Sequence, residues 1–164
     1  MKELEQARIL VIDDDATVRR SLEVALKNNG YEVDVAENGK EAVAKSKAKL
    51  YNLALVDLRL PDLDGIELLT AMREAVPKMV KIIMTGYPSL ENAIEAVNRG
   101  ADGYLVKPYS MEGLLQKIKE HLKKQEEAKK YSEEKVKEFI EARAEKYEEK
   151  TQRSTESSRA PTEP

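Results

Sequence analysis

Five short apolar runs, each ending at a polar or charged residue and each followed by a helix-forming stretch, constrain this chain more than any other feature. The runs are Arg8–Ile12, Glu32–Ala36, Leu53–Val56, Lys81–Met84 and Tyr104–Val106. Runs this short, separated by helices, belong to a buried parallel sheet. In the first helical stretch Val18, Leu22, Ala25 and Leu26 share a face, and Asn28-Asn29-Gly30 ends it. Gly39–Lys49 carries Ala42, Val43 and Ala48, and Asp64–Ala75 carries Ile66, Leu69 and Met72 before Pro77 bars continuation. Ser89 caps a helix over Leu90–Asn98 that Gly100 ends, and Ser110 caps a fifth carrying Leu114, Leu115, Ile118 and Leu122. Strict strand–helix alternation requires right-handed crossovers, which predicts an α/β fold: an open, doubly wound parallel sheet with helices on both faces.

In such sheets ligands bind beyond the carboxyl ends of the strands, so the residues just after each run carry the functional information. Asp13, Asp14 and Asp15 follow the first run, Asp57 the third, Thr85 the fourth and Lys107 the fifth. Carboxylates converging without a cation repel, and a bound divalent cation resolves this; an all-oxygen ligand set suits Mg²⁺ (or Mn²⁺) rather than Zn²⁺. A lysine beside them offsets residual negative charge and binds a phosphoryl oxygen, and a threonine hydroxyl donates to another. A carboxylate in that setting can attack phosphorus to give an acyl phosphate. The chain has neither G-x-x-x-x-G-K-[ST] nor G-x-G-x-x-G, so a nucleotide site is not expected. The one histidine, His121, falls late in the fifth helix, where it is expected to be solvated. Asp15 is expected to be a cap, Pro61 and Gly65 to shape the loop after Asp57, and Gly86, small beside Thr85, to keep the phosphoryl site open or to be a plain turn glycine.

These residues carry a family resemblance. Asp13-Asp14 after ILVI, Asp57 in LVDLRLPDLDGIELL, Thr85 in IIMTGY and Lys107-Pro108 in GYLVKPYS resemble the receiver domain of two-component response regulators, over residues 6–124 or so. The resemblance implies a flavodoxin-like five-stranded sheet of order 2-1-3-4-5. It implies that Asp57 accepts a phosphoryl group from a sensor histidine kinase or phosphotransfer protein. Asp14, Asp57 and the Arg59 backbone carbonyl would ligate Mg²⁺ directly, with Asp13 acting through a bound water. Lys107 would pair with Asp57 and then with the phosphoryl group. Thr85 and Tyr104 would form the switch that carries phosphorylation to the face made by the fourth helix, fifth strand and fifth helix. Family usage also makes the Lys107-Pro108 bond cis. Arg59 and Tyr87 occupy two variable positions flanking the site; both are bulky and are expected to shield an acyl phosphate from water.

The rest of the chain is unlike the first part. Of all residues, 36% are charged, against about 25% in ordinary domains, and much of the surplus lies after residue 124. The domains expected are therefore a receiver over 1–124, a charged helical extension over 125–150 and a disordered tail over 151–164. A helix break near Tyr131, with Ser132 as a new cap, and one unbroken helix are both open. Val136, Phe139 and Ile140 make one small apolar stripe there. Forty residues are too few for a second core, and a net charge of −3 speaks against bulk electrostatic nucleic-acid binding. The absence of cysteine excludes disulfides, and no run is long enough to cross a membrane. A charged N-terminus without an apolar stretch points to the cytoplasm.

The reading is a stand-alone receiver, not a conventional enzyme, that catalyses its own phosphotransfer and autodephosphorylation and signals to a protein partner. Its downstream target and any homodimer are left open. The alternative is the N-terminal receiver part of a longer DNA-binding transcriptional regulator. A phosphatase of the haloacid-dehalogenase pattern is disfavoured, because Arg59 stands where that pattern needs an acid.

Overall fold

A computed structural model describes residues 7–72 and 78–157. The elements run β1 (Arg8–Ile12), α1 (Ala16–Asn28), β2 (Glu32–Ala36), α2 (Gly39–Ala48), β3 (Leu53–Asp57), α3 (Gly65–Ala71), β4 (Val80–Thr85), α4 (Leu90–Asn98), β5 (Gly103–Val106) and α5 (Met111–Ser157). The five strands form one parallel sheet of order β2-β1-β3-β4-β5, the expected doubly wound, flavodoxin-like α/β fold.

Alternate residues of a strand face opposite sides, and here each side has its own core. Ile9, Val11, Leu53, Leu55, Ile82 and Met84 pack with Leu22 and Leu26 of α1 and Leu114, Ile118 and Leu122 of α5. Leu10, Ile12, Ala54, Val56 and Ile83 pack with Ala42 of α2, Ile66 and Leu69 of α3 and Ala96 of α4. The central strand β3 is buried along its whole length, while β5 at the edge is half-buried at best. Full burial of each large aliphatic side chain is worth about 1.5–3 kcal/mol, so this two-sided sheet is the main source of stability.

Helix starts follow local chemistry. The Asp15 side chain accepts from the amides of Thr17 and Val18, Asn38 from Glu41, Asp64 from Ile66 and Ser89 from Asn92. The Ser110 hydroxyl accepts from Gly113, as expected of a cap. The third helix was expected to reach Ala75, but α3 ends at Ala71 with Met72 as its cap. The expected end at Ala75 and the stop at Pro77 lie outside the described residues.

The chain divides into two compact units between Gln125 and Glu126. In the first, Leu114, Ile118 and Leu122 recur every four residues on the core-facing side of α5. Gln125 donates to the carbonyls of Asn52 and Lys78, both at 2.8 Å. In the second unit the helix from Glu127 onward exposes its described side chains on every face. It runs through Tyr131 and Ser132 without a break, since no Gly or Pro interrupts a sequence rich in Glu, Lys and Ala. Some apolar rings are partly covered by cations of their own helix: Arg143 lies 5.2 Å from the Phe139 ring and Lys135 lies 5.5 Å from that of Tyr131. The stretch expected to be disordered from residue 151 is helical as far as Ser157. There the hydroxyls of Thr151, Ser154 and Thr155 donate to carbonyls one turn back, so side chains read as disorder-prone satisfy helix acceptors instead. The remainder of that tail, 158–164, lies outside the described residues.

One close approach is critical to the geometry around β3. A Cβ on Gly65 would sit 2.3 Å from the Asp57 carbonyl oxygen and 2.9 Å from the Leu58 Cα. Backbone on both sides leaves nothing flexible to move. Gly65→Ala should cost at least roughly 2 kcal/mol in urea unfolding, whereas Gly86→Ala, where a Cβ meets nothing within 4 Å, should stay within about 0.5 kcal/mol. Equal midpoints for the two variants would contradict this packing.

Candidate functional site

Strand register builds the site. Ile12 of β1 is paired with Val56 of β3, so the next residues, Asp13 and Asp57, emerge side by side. Thr85 of β4 is paired with Val106 of β5, which delivers Lys107 one residue later, and the Lys107 amide donates to the Thr85 carbonyl at 2.7 Å. Asp14 follows Asp13 into the open. The carboxylates of Asp13, Asp14 and Asp57 offer oxygens that all lie within 4.8 Å of one another.

Their environments differ. Asp13 is 1% exposed and held from several directions. Its amide donates to the Ala36 carbonyl, its carboxylate accepts from the Asp15 amide at 2.9 Å, and its carbonyl accepts from the Arg19 guanidinium at 2.8 Å. Asp57 is 8% exposed, and among the described residues its carboxylate accepts just a long bond, 3.4 Å, from the Arg59 amide. The Lys107 ammonium lies between the two acids, 3.4 Å from Asp13 and 3.6 Å from Asp57. Burial, reinforced by the neighbouring Asp13 carboxylate, pushes the Asp57 carboxyl up to about 6 against the pull of Lys107. Burial works against the Lys107 charge, but the Asp13 and Asp57 carboxylates outweigh it and hold the ammonium above its ordinary value.

The donor set tests well for a hard cation. Three carboxylates, two of them largely buried, gather where a single lysine cannot balance them, and no nitrogen or sulfur ligand is among them.

The remaining predicted residues surround this cluster. Thr85 is buried, and its hydroxyl accepts from the Tyr87 amide at 3.0 Å. Tyr104 is half-buried, with its hydroxyl enclosed and without a hydrogen-bond partner among the described residues. Arg59 is exposed, bridges to Asp64 across its own loop, and lays its guanidinium 4.1 Å from the centre of the Tyr87 ring. The Lys107-Pro108 bond is cis. His121 departs from expectation: it is half-buried rather than solvated, packed near Gly103 at the far end of β5, and burial lowers its pKa. The sequence reading also missed Arg19 and Asp62. Arg19 stands six residues past Asp13, at the start of the helix that leaves the site, and that offset is its only sequence signal.

This is an open doubly wound α/β protein with an acidic, metal-competent site at the carboxyl ends of its strands. The family model of the response regulator receiver domain matches residues 9–119, and the chain belongs to that family. The transcriptional regulatory protein ZraR of Klebsiella oxytoca is 39% identical over 118 residues, which is 72% of this chain and 27% of ZraR. The transcriptional regulatory protein ResD of Bacillus subtilis is 36% identical over 124 residues, 76% of this chain and 51% of ResD. The chain thus spans about a quarter to a half of the curated relatives it matches. The crystal structure of a CheY-like response regulator receiver domain protein from Methanospirillum hungatei JF-1 has a TM-score of 0.72 and 45% identity, over 75% of this chain and 98% of that one. A response regulator protein from Burkholderia pseudomallei, solved with a phosphorylated aspartic acid, calcium ion and citrate, has a TM-score of 0.64 and 30% identity over 75% of this chain and 72% of its own. Receiver domains typically bind Mg²⁺ at such an acidic cluster. Among the described residues no helix is long and apolar enough to cross a membrane.

The raised Asp57 pKa has a sign that can be tested. Its carboxyl holds a proton up to about 6 in the folded chain but only to 3.8 when unfolded. The stability gained from that proton is therefore complete below 3.8 and is lost as pH rises through about 6. With EDTA at pH 7.5, Asp57→Asn should raise stability by roughly 1–2 kcal/mol, and the gap should close as pH falls toward 4. Thermal melts over that pH range would expose a wrong sign.

Proposed function

We propose that Asp57 accepts a phosphoryl group from a histidine kinase or phosphotransfer protein, in a reversible, Mg²⁺-dependent reaction catalysed by the receiver itself. The observation that carries this is the placement of Asp57 beside Asp13, Asp14 and Lys107, with Thr85 at the end of the adjacent strand. The phosphorylated aspartic acid of the Burkholderia pseudomallei relative supports it.

An Asp57 carboxylate oxygen attacks phosphorus as the bond to the donor's imidazole nitrogen breaks, and the electron pair leaves with the imidazole. Lys107 moves from pairing with Asp57 to neutralising the incoming phosphoryl oxygens. The Thr85 hydroxyl, which now accepts from the Tyr87 amide, turns to donate to a phosphoryl oxygen, and Tyr104 moves with it as the switch. Asp14, Asp57 and the Arg59 carbonyl would hold the metal directly, and Asp13 would act through a water. Bound there, Mg²⁺ supplies positive charge that offsets the carboxylates and the transferring group. Hydrolysis reverses the assignment: water attacks phosphorus, and Asp57 leaves as carboxylate.

Output runs through the face of α4, β5 and the first turns of α5, where Leu90, Ile94, Val97 and Val106 are exposed, to a protein partner or a second copy. The protein works in the cytoplasm, without direct nucleic-acid contact by these residues. A second reading has its own support: ZraR and ResD are transcriptional regulators of which this chain spans only a part. On that reading, these residues are the receiver of a longer DNA-binding regulator.

Incubation with acetyl phosphate and Mg²⁺ should add the mass of one phosphoryl group to the intact protein, and Asp57→Ala should abolish it. An addition that survives Asp57→Ala rejects the reading. Size-exclusion of the same samples reports any association on phosphorylation. Arg59 stacks on Tyr87, and on this reading the pair shields the Asp57 acyl phosphate from water. Arg59→Ala with Tyr87→Ala should therefore speed loss of the phosphoryl group several-fold, while an unchanged or slower rate would remove the shielding role.

A further inference from the structure

The loop leaving Asp57 doubles back before it becomes α3. Its base is closed by the Gly65 amide, which donates to the Leu58 carbonyl at 2.9 Å, and by the antiparallel bridge of Arg59 with Asp64. Near the acid the loop is held weakly, since the Arg59 amide is 3.4 Å from the Asp57 carboxylate. The stronger tie lies at the tip and reaches another element. One oxygen of Asp62 accepts from the Gly39 amide and the other from the Lys40 amide, each at 2.9 Å.

Those amides belong to the first turn of α2, where N–H groups lack partners within the helix. Asn38, the helix's own cap, takes only the Glu41 amide, at 2.8 Å. Two parallel bonds to one carboxylate fix its plane as well as its position. The same amide bonds hold the Asp62 carboxyl below its ordinary range. Leu63 then closes over Gly39 so tightly that a Cβ there would lie 2.6 Å from a Leu63 methyl and 3.3 Å from the Asp62 carboxylate. The tip is thus clamped to α2 by a bidentate carboxylate and a close hydrophobic contact, while Asp62 itself stays exposed.

We infer that Asp62 is a positioning residue for the phosphotransfer site: by clamping the loop tip to α2 it holds the Arg59 carbonyl in place before the metal arrives. This rests on the function proposed above, in which that carbonyl is a metal ligand. A free loop tip would lose its conformational freedom on binding the metal, and the clamp removes that cost in advance. Asp62 touches neither metal nor phosphoryl group and acts only through the loop.

Titrating Mg²⁺ into the full chain by calorimetry tests this with Asp62→Ala, Asp62→Asn and Asn38→Ala. Asp62→Ala should weaken Mg²⁺ binding by roughly three- to tenfold. Asp62→Asn keeps one acceptor oxygen and should fall between it and wild type. Asn38→Ala weakens the same helix end without freeing the loop. It should lower the melting midpoint, as Asp62→Ala does, yet keep wild-type Mg²⁺ affinity. Wild-type affinity in Asp62→Ala, or an equal loss in Asn38→Ala, overturns the positioning role alone. A wild type that neither binds Mg²⁺ nor takes a phosphoryl group from acetyl phosphate overturns the function and this role together.

Discussion

Repulsion among Asp13, Asp14 and Asp57 is the constraint around which the rest of this structure is arranged. Carboxylates whose oxygens lie within 4.8 Å of one another do not gather unaided. At an effective dielectric of 20, like charges at that spacing repel by roughly 3–4 kcal/mol per pair. The chain meets the cost in two ways. Lys107 is inserted between Asp13 and Asp57, and Asp57 retains its proton to an unusually high pH. Neither removes the imbalance, which a bound cation would offset.

The sheet makes the gathering unavoidable. Because all five strands run the same way, every strand that ends in a polar residue delivers it to one edge. Register then sets the neighbours: Asp13 and Asp57 follow a paired Ile12 and Val56, and Lys107 follows the partner of Thr85. The hydrophobic cores on the two faces hold these strands, so the carboxylates cannot separate without unpacking aliphatic side chains. Stability of the fold and tension at the site come from the same interactions.

The strands and their terminal acids were legible because burial on both faces leaves an uninterrupted apolar run, and the polar residue that ends it stands out. Asp15, Ser89 and Ser110 were legible for a similar reason, since a cap acts within a few residues of itself. Arg19 and Asp62 were not. The amides that Asp62 accepts belong to Gly39 and Lys40, more than twenty residues earlier, and nothing in its neighbours marks that contact. The difference between a buried Asp13 and an exposed Asp14 was equally hidden, because it depends on which side of the sheet edge each faces. Beyond residue 151, low apolar content was read as disorder, yet helix formation there needs only that hydroxyls turn back to their own backbone.

Lys81 lies in β4, the strand that ends in Thr85, and its buried ammonium donates to the Leu69 carbonyl in the last turns of α3. The start of that same helix presses Gly65 against the Asp57 carbonyl. Strand, helix and acid are therefore braced as one rigid block, and Thr85 is its last member. If Thr85 acts as proposed, a pull on its hydroxyl would leave the strand where it is and fall on what comes next, beginning at Gly86, where a Cβ would meet nothing within 4 Å. On the proposed function the block would act as an anvil, and the change would travel outward through the β4–α4 loop rather than back into the sheet.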